Sequence, residues 1–229
     1  WAEKNKMLKN DLLKVNVVEL YSRVYKRIGM DDTHDVNELW EIAKKDDSIW
    51  DIYRKGAVIG INQVEQTGTA KRVMKYAPKN ISELSAFVAA VRPGFASMYD
   101  IFESRQHFDY GIEAFDKLVQ TEELPHSFVL YQEQAMAAMN FAGIPMDRTY
   151  EIVKSIAKKR YDDVFSAKEQ FINGFYEVTG SMETSQKIWQ ILEDSSRYSF
   201  NSSHSLSVAT DSLYTAYLKA HYPLFFYEQ

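Results

Sequence analysis

Apolar residues recur at three- and four-residue steps along most of the chain, which is the spacing of one buried face on an α-helix. The clearest stripe consists of Leu206, Ala209, Leu213, Ala216 and Ala220. The pattern predicts helices up to about residue 27 and over 35–45, 48–55, 68–76, 82–90, 95–105, 112–120, 128–142, 147–160, 162–178, 183–194 and 203–221. We therefore expect a mainly α, irregular multi-helix domain.

Strand-like patterning is confined to two short stretches. Residues 7–12 predict a strand, and residues 58–63 predict a second extended piece. One strand cannot satisfy its own backbone hydrogen bonds. We therefore expect 7–12 to belong to an incomplete sheet whose other strands lie outside these 229 residues.

Composition narrows the class of protein. Hydrophobic residues make up 45% and charged residues 26% of the chain, as in ordinary globular proteins. Apolar runs stay shorter than the roughly 18 residues that cross a bilayer, so no membrane partner is expected. The net charge of −5 argues against a uniformly basic nucleic-acid binder, and the lack of cysteine fits a reducing compartment. The chain opens on Trp1, which suggests a piece of a longer polypeptide.

The start of the last long helix is a candidate anion site. Ser202 and Ser203 are the candidate N-caps, and His204 follows in the first turn. A helix N-terminus offers unpaired N–H groups and partial positive charge, and a histidine there can donate to the same anion. The alternative, which stays open, is a capped core helix with a surface histidine.

Two rows of basic residues are candidate phosphate contacts. Lys154, Lys158 and Lys159 form one row, while Lys71 and Lys75 belong to the other. Solvated helix faces carry the same pattern, and that interpretation is kept beside the first.

Asp11 lies among apolar residues of the predicted N-terminal strand. Such an aspartate must be hydrogen-bonded, paired or bound to a metal, unless it lies at an exposed strand edge. No second carboxylate lies within two residues, so a magnesium site here would need ligands from elsewhere.

Polar residues at 131–134 (Tyr-Gln-Glu-Gln) open an apolar helix, and we expect them to hold neighbouring loops rather than to act in catalysis. The five histidines lack the three- or four-residue spacing of a helical zinc site. Phosphate-binding glycine loops and nucleophile signatures are also missing from the sequence.

Taken in chain order, several segments resemble the alpha subunit of bacterial DNA polymerase III, the family C replicative polymerases. The most similar are Tyr-Ser-Phe-Asn-Ser-Ser-His-Ser at 198–205 and Tyr-Leu-Lys-Ala-His-Tyr-Pro at 217–223. The others are 7–13, 63–68, 81–94 ending in Arg-Pro-Gly, 105–107, 131–134 and 152–159.

The resemblance implies a layout and a chemistry. Residues 1–30 would form the C-terminal edge of the palm domain, and residues 31–229 the fingers domain. In the family, three aspartates hold two Mg²⁺ ions, and a primer 3′ hydroxyl attacks the incoming nucleotide. Asp11 stands at the third aspartate, as both a catalytic residue and a metal ligand.

Nucleotide-binding positions are implied in the same way. Lys9 stands at a lysine that contacts the triphosphate, and Lys154 at the second of two arginines that grip it. Tyr198 and His204 also stand at nucleotide-contacting positions. Val153 replaces the first arginine and Ser203 replaces a lysine, so this sequence diverges from the family pattern. Lysine at 154 also loses the bidentate contact that arginine makes.

The partners implied are primer-template DNA, deoxynucleoside triphosphates and the remaining palm and thumb domains, together with the sliding clamp and other replisome proteins. The implied compartment is the cytoplasm of a bacterial or phage-infected cell. The alternative is a non-enzymatic helical module that binds DNA or the replisome and derives from such a polymerase. Val153 and Ser203 favour that alternative.

Overall fold

The structure is a computed structural model that describes Asn5, Met7 and residues 15–121, 124–158, 161–196 and 200–229. Of residues 161–163 it describes the backbone alone. Of the predicted strand at 7–12, only Met7 is among these residues. Lys9 and Asp11 lie outside them.

Helices dominate the described residues, as the periodicity predicts, and no strand occurs there. The helices are α1 (Asn16–Arg27), α2 (Val36–Lys45), α3 (Asp47–Arg54), α4 (Thr67–Tyr76), α5 (Ile81–Ala90), α6 (Tyr99–Glu103), α7 (Glu113–Val119), α8 (Gln132–Phe141), α9 (Met146–Ala157), α10 (Tyr161–Thr179), α11 (Met182–Ser196), α12 (Ser202–His221) and α13 (Pro223–Tyr227). A 3₁₀ turn, Pro93–Phe95, precedes α6. The mainly α multi-helix fold is therefore confirmed.

The first hydrophobic core surrounds α12. Helices α1, α2, α3, α5 and α13 pack against it, so both sides of its second half are buried. The apolar stripe explains one side, where Leu213 and Ala216 are fully buried. The other side is covered because Tyr214 stacks on Tyr21, with 4.8 Å between the ring centroids. A helix buried all round is the central element of its domain.

The second core is built from α7 to α11. Phe171, Phe175 and Trp189 are fully buried at its centre. Ile191 packs against both cores, and the end of α11 leads toward the start of α12. The two cores are therefore continuous through α11.

Several helix ends are capped by side chains or followed by glycine. The Asn80 side chain accepts a hydrogen bond from the Glu83 amide at 2.8 Å, and Glu83 accepts from the Lys79 amide at 2.8 Å. Gly143 and Gly180 follow α8 and α10 with φ of 82° and 72°, in the left-handed region that favours glycine.

Three boundaries differ from the predictions. Residues 58–63 form consecutive turns rather than an extended piece, because Gly60 and Gln63 adopt φ of 76° and 66°. The helix predicted over 95–105 is only α6. The helix predicted from 128 begins at 132, because the Gln134 side chain accepts from the amides of Leu130 and Tyr131 at 2.8 and 2.9 Å.

Candidate functional site

The tip of α12 is capped by Asn201. Its backbone is extended, with φ −67° and ψ 135°, and its Oδ1 accepts from the His204 amide at 3.1 Å. The prediction of Ser202 or Ser203 as N-cap was wrong, because both residues already lie in the helix. The Ser203 hydroxyl instead donates to Asn201.

A carboxylate from α8 holds the same tip. Glu133 accepts from the Ser202 amide at 3.0 Å and from the Asn201 side-chain amide. Beside it, the Gln132 amide donates to the Phe200 carbonyl at 2.9 Å. The amides of Ser202 and His204 thus already have acceptors. Two of the first-turn amides on which the sequence argument relied are therefore already used, so an anion at this tip would depend more on the His204 side chain.

Asn201→Ala is expected to lower the free energy of unfolding by about 1 kcal/mol, because it removes the cap of α12. In a domain of this size that corresponds to a fall of about 2–4 °C in Tm. Asn37→Ala is the matched control, since Asn37 is exposed on α2 and that helix is capped by Asp35. Equal Tm values for the two variants would contradict the capping role.

His204 lies exposed on a layered stack of side chains. Its ring lies 5.0 Å from the Phe200 ring, with an angle of 15° between their planes. The Arg92 guanidinium carbon lies 3.5 Å from the centroid of the same Phe200 ring. Partial burial lowers the pKa of Arg92, which stays charged at neutral pH. Phe200 therefore contacts both the Arg92 guanidinium and the His204 ring.

A hydroxyl-lined cavity of about 340 Å³ opens beside this tip. Its polar walls come from α5, α12 and the segment before α8: Ser82, Ser85, Tyr131, Ser202 and Ser203. The Ser205 hydroxyl donates to the Ser85 carbonyl at 2.7 Å and so fixes α12 against α5. The volume lies in the range of small-molecule pockets.

The α9 row has a different setting. Lys154 is half-exposed, 3.9 Å from Glu151 and 5.6 Å from the Tyr150 ring. Val153 is 2% exposed and lies in the second core, so its side chain packs instead of facing solvent. Lys158 caps the end of α9 and is exposed, while Lys159 falls outside the described residues.

The position of α9 relative to the α12 tip follows from α8. Residues 142–145 join α8 to α9, and the two helices pack together. In such a helical hairpin the last turn of α9 lies toward the start of α8. The start of α8 also holds α12 through Glu133, so α8 contacts both α9 and the α12 tip. Tyr198 lies outside the described residues.

The α4 row is partly occupied within the chain. Lys75 forms an ion pair with Glu103, a buried carboxylate, and that hydrogen bond raises the pKa of Lys75. Lys71 is exposed on the same helix. A phosphate at Lys75 would have to compete with Glu103.

Sequence patterns missed the roles of Arg92 and Phe200, and they did not indicate which segment Glu133 holds. The contacts of these residues join segments far apart in the chain, which no local periodicity reports. The motif at 131–134 carried the available signal, and its predicted structural role is confirmed. Gln134 holds the preceding loop and donates to the Val119 carbonyl at 2.7 Å.

The described residues hold no group of three or more His, Asp or Glu side chains that could bind a metal ion. In the same part of the chain, none of the helices combines the length and apolar character that a bilayer crossing requires.

Residues 18–179 match the family model described as bacterial DNA polymerase III alpha subunit finger domain. The chain belongs to this family. The match covers α2 to α9 completely and reaches from within α1 to the end of α10. The resemblance drawn from the motifs is therefore confirmed.

Curated relatives extend the similarity over nearly the whole chain. The DNA polymerase III subunit alpha of Aquifex aeolicus is 29% identical over 96% of this chain and 19% of its own length. Those of Bacillus subtilis and Streptococcus pyogenes are 26% identical, over 96% and 99% of this chain and 20% and 22% of their own lengths. The chain thus spans about a fifth of these relatives. Helix α12 lies beyond the segment that matches the family model. It lies within the range that aligns with the Streptococcus pyogenes relative.

Proposed function

We propose that this chain supplies the fingers domain, residues 31–229, and the adjoining palm edge, residues 1–30, of a DNA-directed DNA polymerase. The full protein would transfer nucleotides to a primer 3′ hydroxyl in bacterial or phage replication. The family match and the relatives' names support this assignment. Helix α1 packs on α12, so the palm edge would share a core with the fingers.

One observation carries the nucleotide-binding part of the proposal: His204 is exposed at the start of a buried helix, beside a cavity of about 340 Å³ whose wall carries serine and tyrosine hydroxyls. An imidazole N–H can donate to a phosphate oxygen, and the serine hydroxyls of the cavity can donate to sugar or phosphate oxygens. Burial of the rest of α12 fixes this donor in place. Fixed donors suit an enzyme that selects its substrate by geometry.

The proposed reaction uses two Mg²⁺ ions. Asp11 would supply one carboxylate, and the other ligands would lie outside these 229 residues. The described residues alone do not form a metal site. The proposed role of His204 and Lys154 is to bind and orient the incoming nucleotide. Lys9 and Tyr198, outside the described residues, would add contacts.

The wider partners remain part of the same proposal: primer-template DNA, the other palm and thumb segments, and replisome proteins such as a sliding clamp. The proposed compartment is the bacterial cytoplasm. A purely DNA-binding module is less well supported, because the ion pair between Lys75 and Glu103 weakens the α4 row as a phosphate track.

His204→Ala in the full-length protein is expected to raise the KM for the incoming nucleotide about tenfold or more. The substitution removes one hydrogen bond to a charged phosphate, and such bonds contribute about 1.5–3 kcal/mol. Steady-state primer extension at varied nucleotide concentration measures this effect. His107→Ala is the matched control, because His107 is also exposed but pairs with Asp109 at 2.7 Å.

His204→Gln should recover part of the affinity, since an amide can still donate to phosphate. An unchanged KM in both His204 variants would remove this residue from the nucleotide site. The 229-residue chain alone is expected to extend no primer, because it lacks two of the three family aspartates.

A further inference from the structure

A second cleft, distinct from the hydroxyl-lined cavity, lies between the start of α4 and the end of α5. Its volume is about 360 Å³. Its polar residues are Asn62, Gln63, Glu65, Gln66, Thr69 and Arg92. Phe87, Val88, Val91 and Pro93 complete it with apolar surface. It therefore joins amide groups, one guanidinium and an apolar wall in one concave surface.

Arg92 has unused donors at this cleft. Within the described part of the chain no group accepts a hydrogen bond from its guanidinium, which only stacks on Phe200. Arginine carries five N–H donors in a planar fork that fits a phosphate. Because Phe200 also stacks on His204, the guanidinium is held in a fixed orientation next to the α12 tip. A charged donor without a protein acceptor is available to an anion that enters the cleft.

The charge of the cleft indicates which anion. Glu65 lines the same cleft as Arg92, and its carboxylate accepts from the Gly60 amide at 3.0 Å. The lining therefore carries about one charge of each sign, which cannot neutralise a triphosphate but tolerates a single phosphodiester. The amides of Asn62, Gln63 and Gln66 both donate and accept, as the edge of an unpaired base requires.

We propose that this cleft binds one nucleotide of single-stranded DNA, with Arg92 on the phosphodiester and the amide side chains on the base. The proposal adds a site for an unpaired DNA strand to the proposed function and rests on that function only for the choice of DNA. Gln63 supports it, because it keeps a left-handed backbone at φ 66° that glutamine disfavours, and so presents a constrained residue at the cleft.

Fluorescence anisotropy of the 229-residue chain with a short labelled oligothymidylate tests the proposal at low salt, about 50 mM. Arg92→Ala is expected to weaken binding about tenfold, as for loss of a charged hydrogen bond. Because Arg92 also packs on Phe200, Gln66→Glu serves as a second variant that adds a negative charge at an exposed residue. It should weaken binding several-fold by repelling the phosphate.

Gln186→Glu, which adds the same charge at an exposed residue of α11, should leave binding unchanged. Circular dichroism checks that each variant is folded. Binding by Arg92→Ala and Gln66→Glu equal to that of the unaltered chain would overturn the proposal, as would a chain that fails to bind the oligonucleotide. Displacement by equimolar free thymidine triphosphate would also overturn it, because the site would then be a nucleotide site. None of these readouts depends on catalysis, so they are separate from the KM test of His204.

Discussion

Replacing Asp11 with alanine in the full-length protein is expected to lower kcat by about a thousandfold or more, while the protein stays folded. A metal-bound carboxylate contributes several kcal/mol to stabilising the charge that develops in nucleotidyl transfer. Each 1.36 kcal/mol lost costs about a factor of ten in rate. The effect should fall on kcat, because the nucleotide contacts proposed for His204 and Lys154 would remain.

Primer extension under single-turnover conditions with saturating nucleotide measures this rate. Asp32→Ala is the matched control, because Asp32 is an exposed carboxylate in the bend after α1. Its rate should match that of the unaltered protein. Replacing magnesium with manganese should not fully restore the rate of Asp11→Ala. A rate for this variant within a few-fold of normal would remove Asp11 from the catalytic site.

Gly174→Ala is expected to destabilise the second core by about 2–3 kcal/mol. A Cβ on Gly174 would lie 1.9 Å from the Ala142 carbonyl oxygen, so α10 and the turn after α8 would have to move apart. Overpacking of a tight contact costs about 1–3 kcal/mol, and here the opposing atom is backbone. The helix propensity gained by replacing glycine offsets part of that cost.

Thermal unfolding followed by circular dichroism measures the effect, with an expected fall of about 5–10 °C in Tm. Gly68→Ala is the matched control, since Gly68 lies in α4 with nothing within 4 Å of its added Cβ. That change should leave stability equal or slightly higher. Destabilisation by Gly68→Ala as large as by Gly174→Ala would contradict the close approach of α10 and α8.

Local patterns predicted the helices well because each amphipathic stripe reports burial on its own helix. The stripe on α12 is an example, since Leu213 and Ala216 are fully buried. The same patterns failed at 58–63, where positive φ at Gln63 makes turns that apolar content does not reveal. They also misplaced the α12 cap, since serine and asparagine satisfy the same rule and only the backbone distinguishes them.

The candidate site was predictable only in part. The helix-start and basic-row patterns indicated His204 and Lys154 as candidate phosphate contacts, and the family resemblance added the nucleotide-binding role. The stack of Arg92 on Phe200 and the ion pair of Lys75 with Glu103 depend on contacts between distant segments. Such contacts are set by packing of the whole domain, so a residue's local context does not predict them.

The most direct measurement is a structure of the full-length protein with primer-template DNA, Mg²⁺ and a non-hydrolysable incoming nucleotide. The account predicts that the His204 ring lies within hydrogen-bond distance of a phosphate oxygen and that Asp11 binds a Mg²⁺ contacting the same triphosphate. A nucleotide seated away from the α12 tip, with Asp11 bound to no metal, would contradict it.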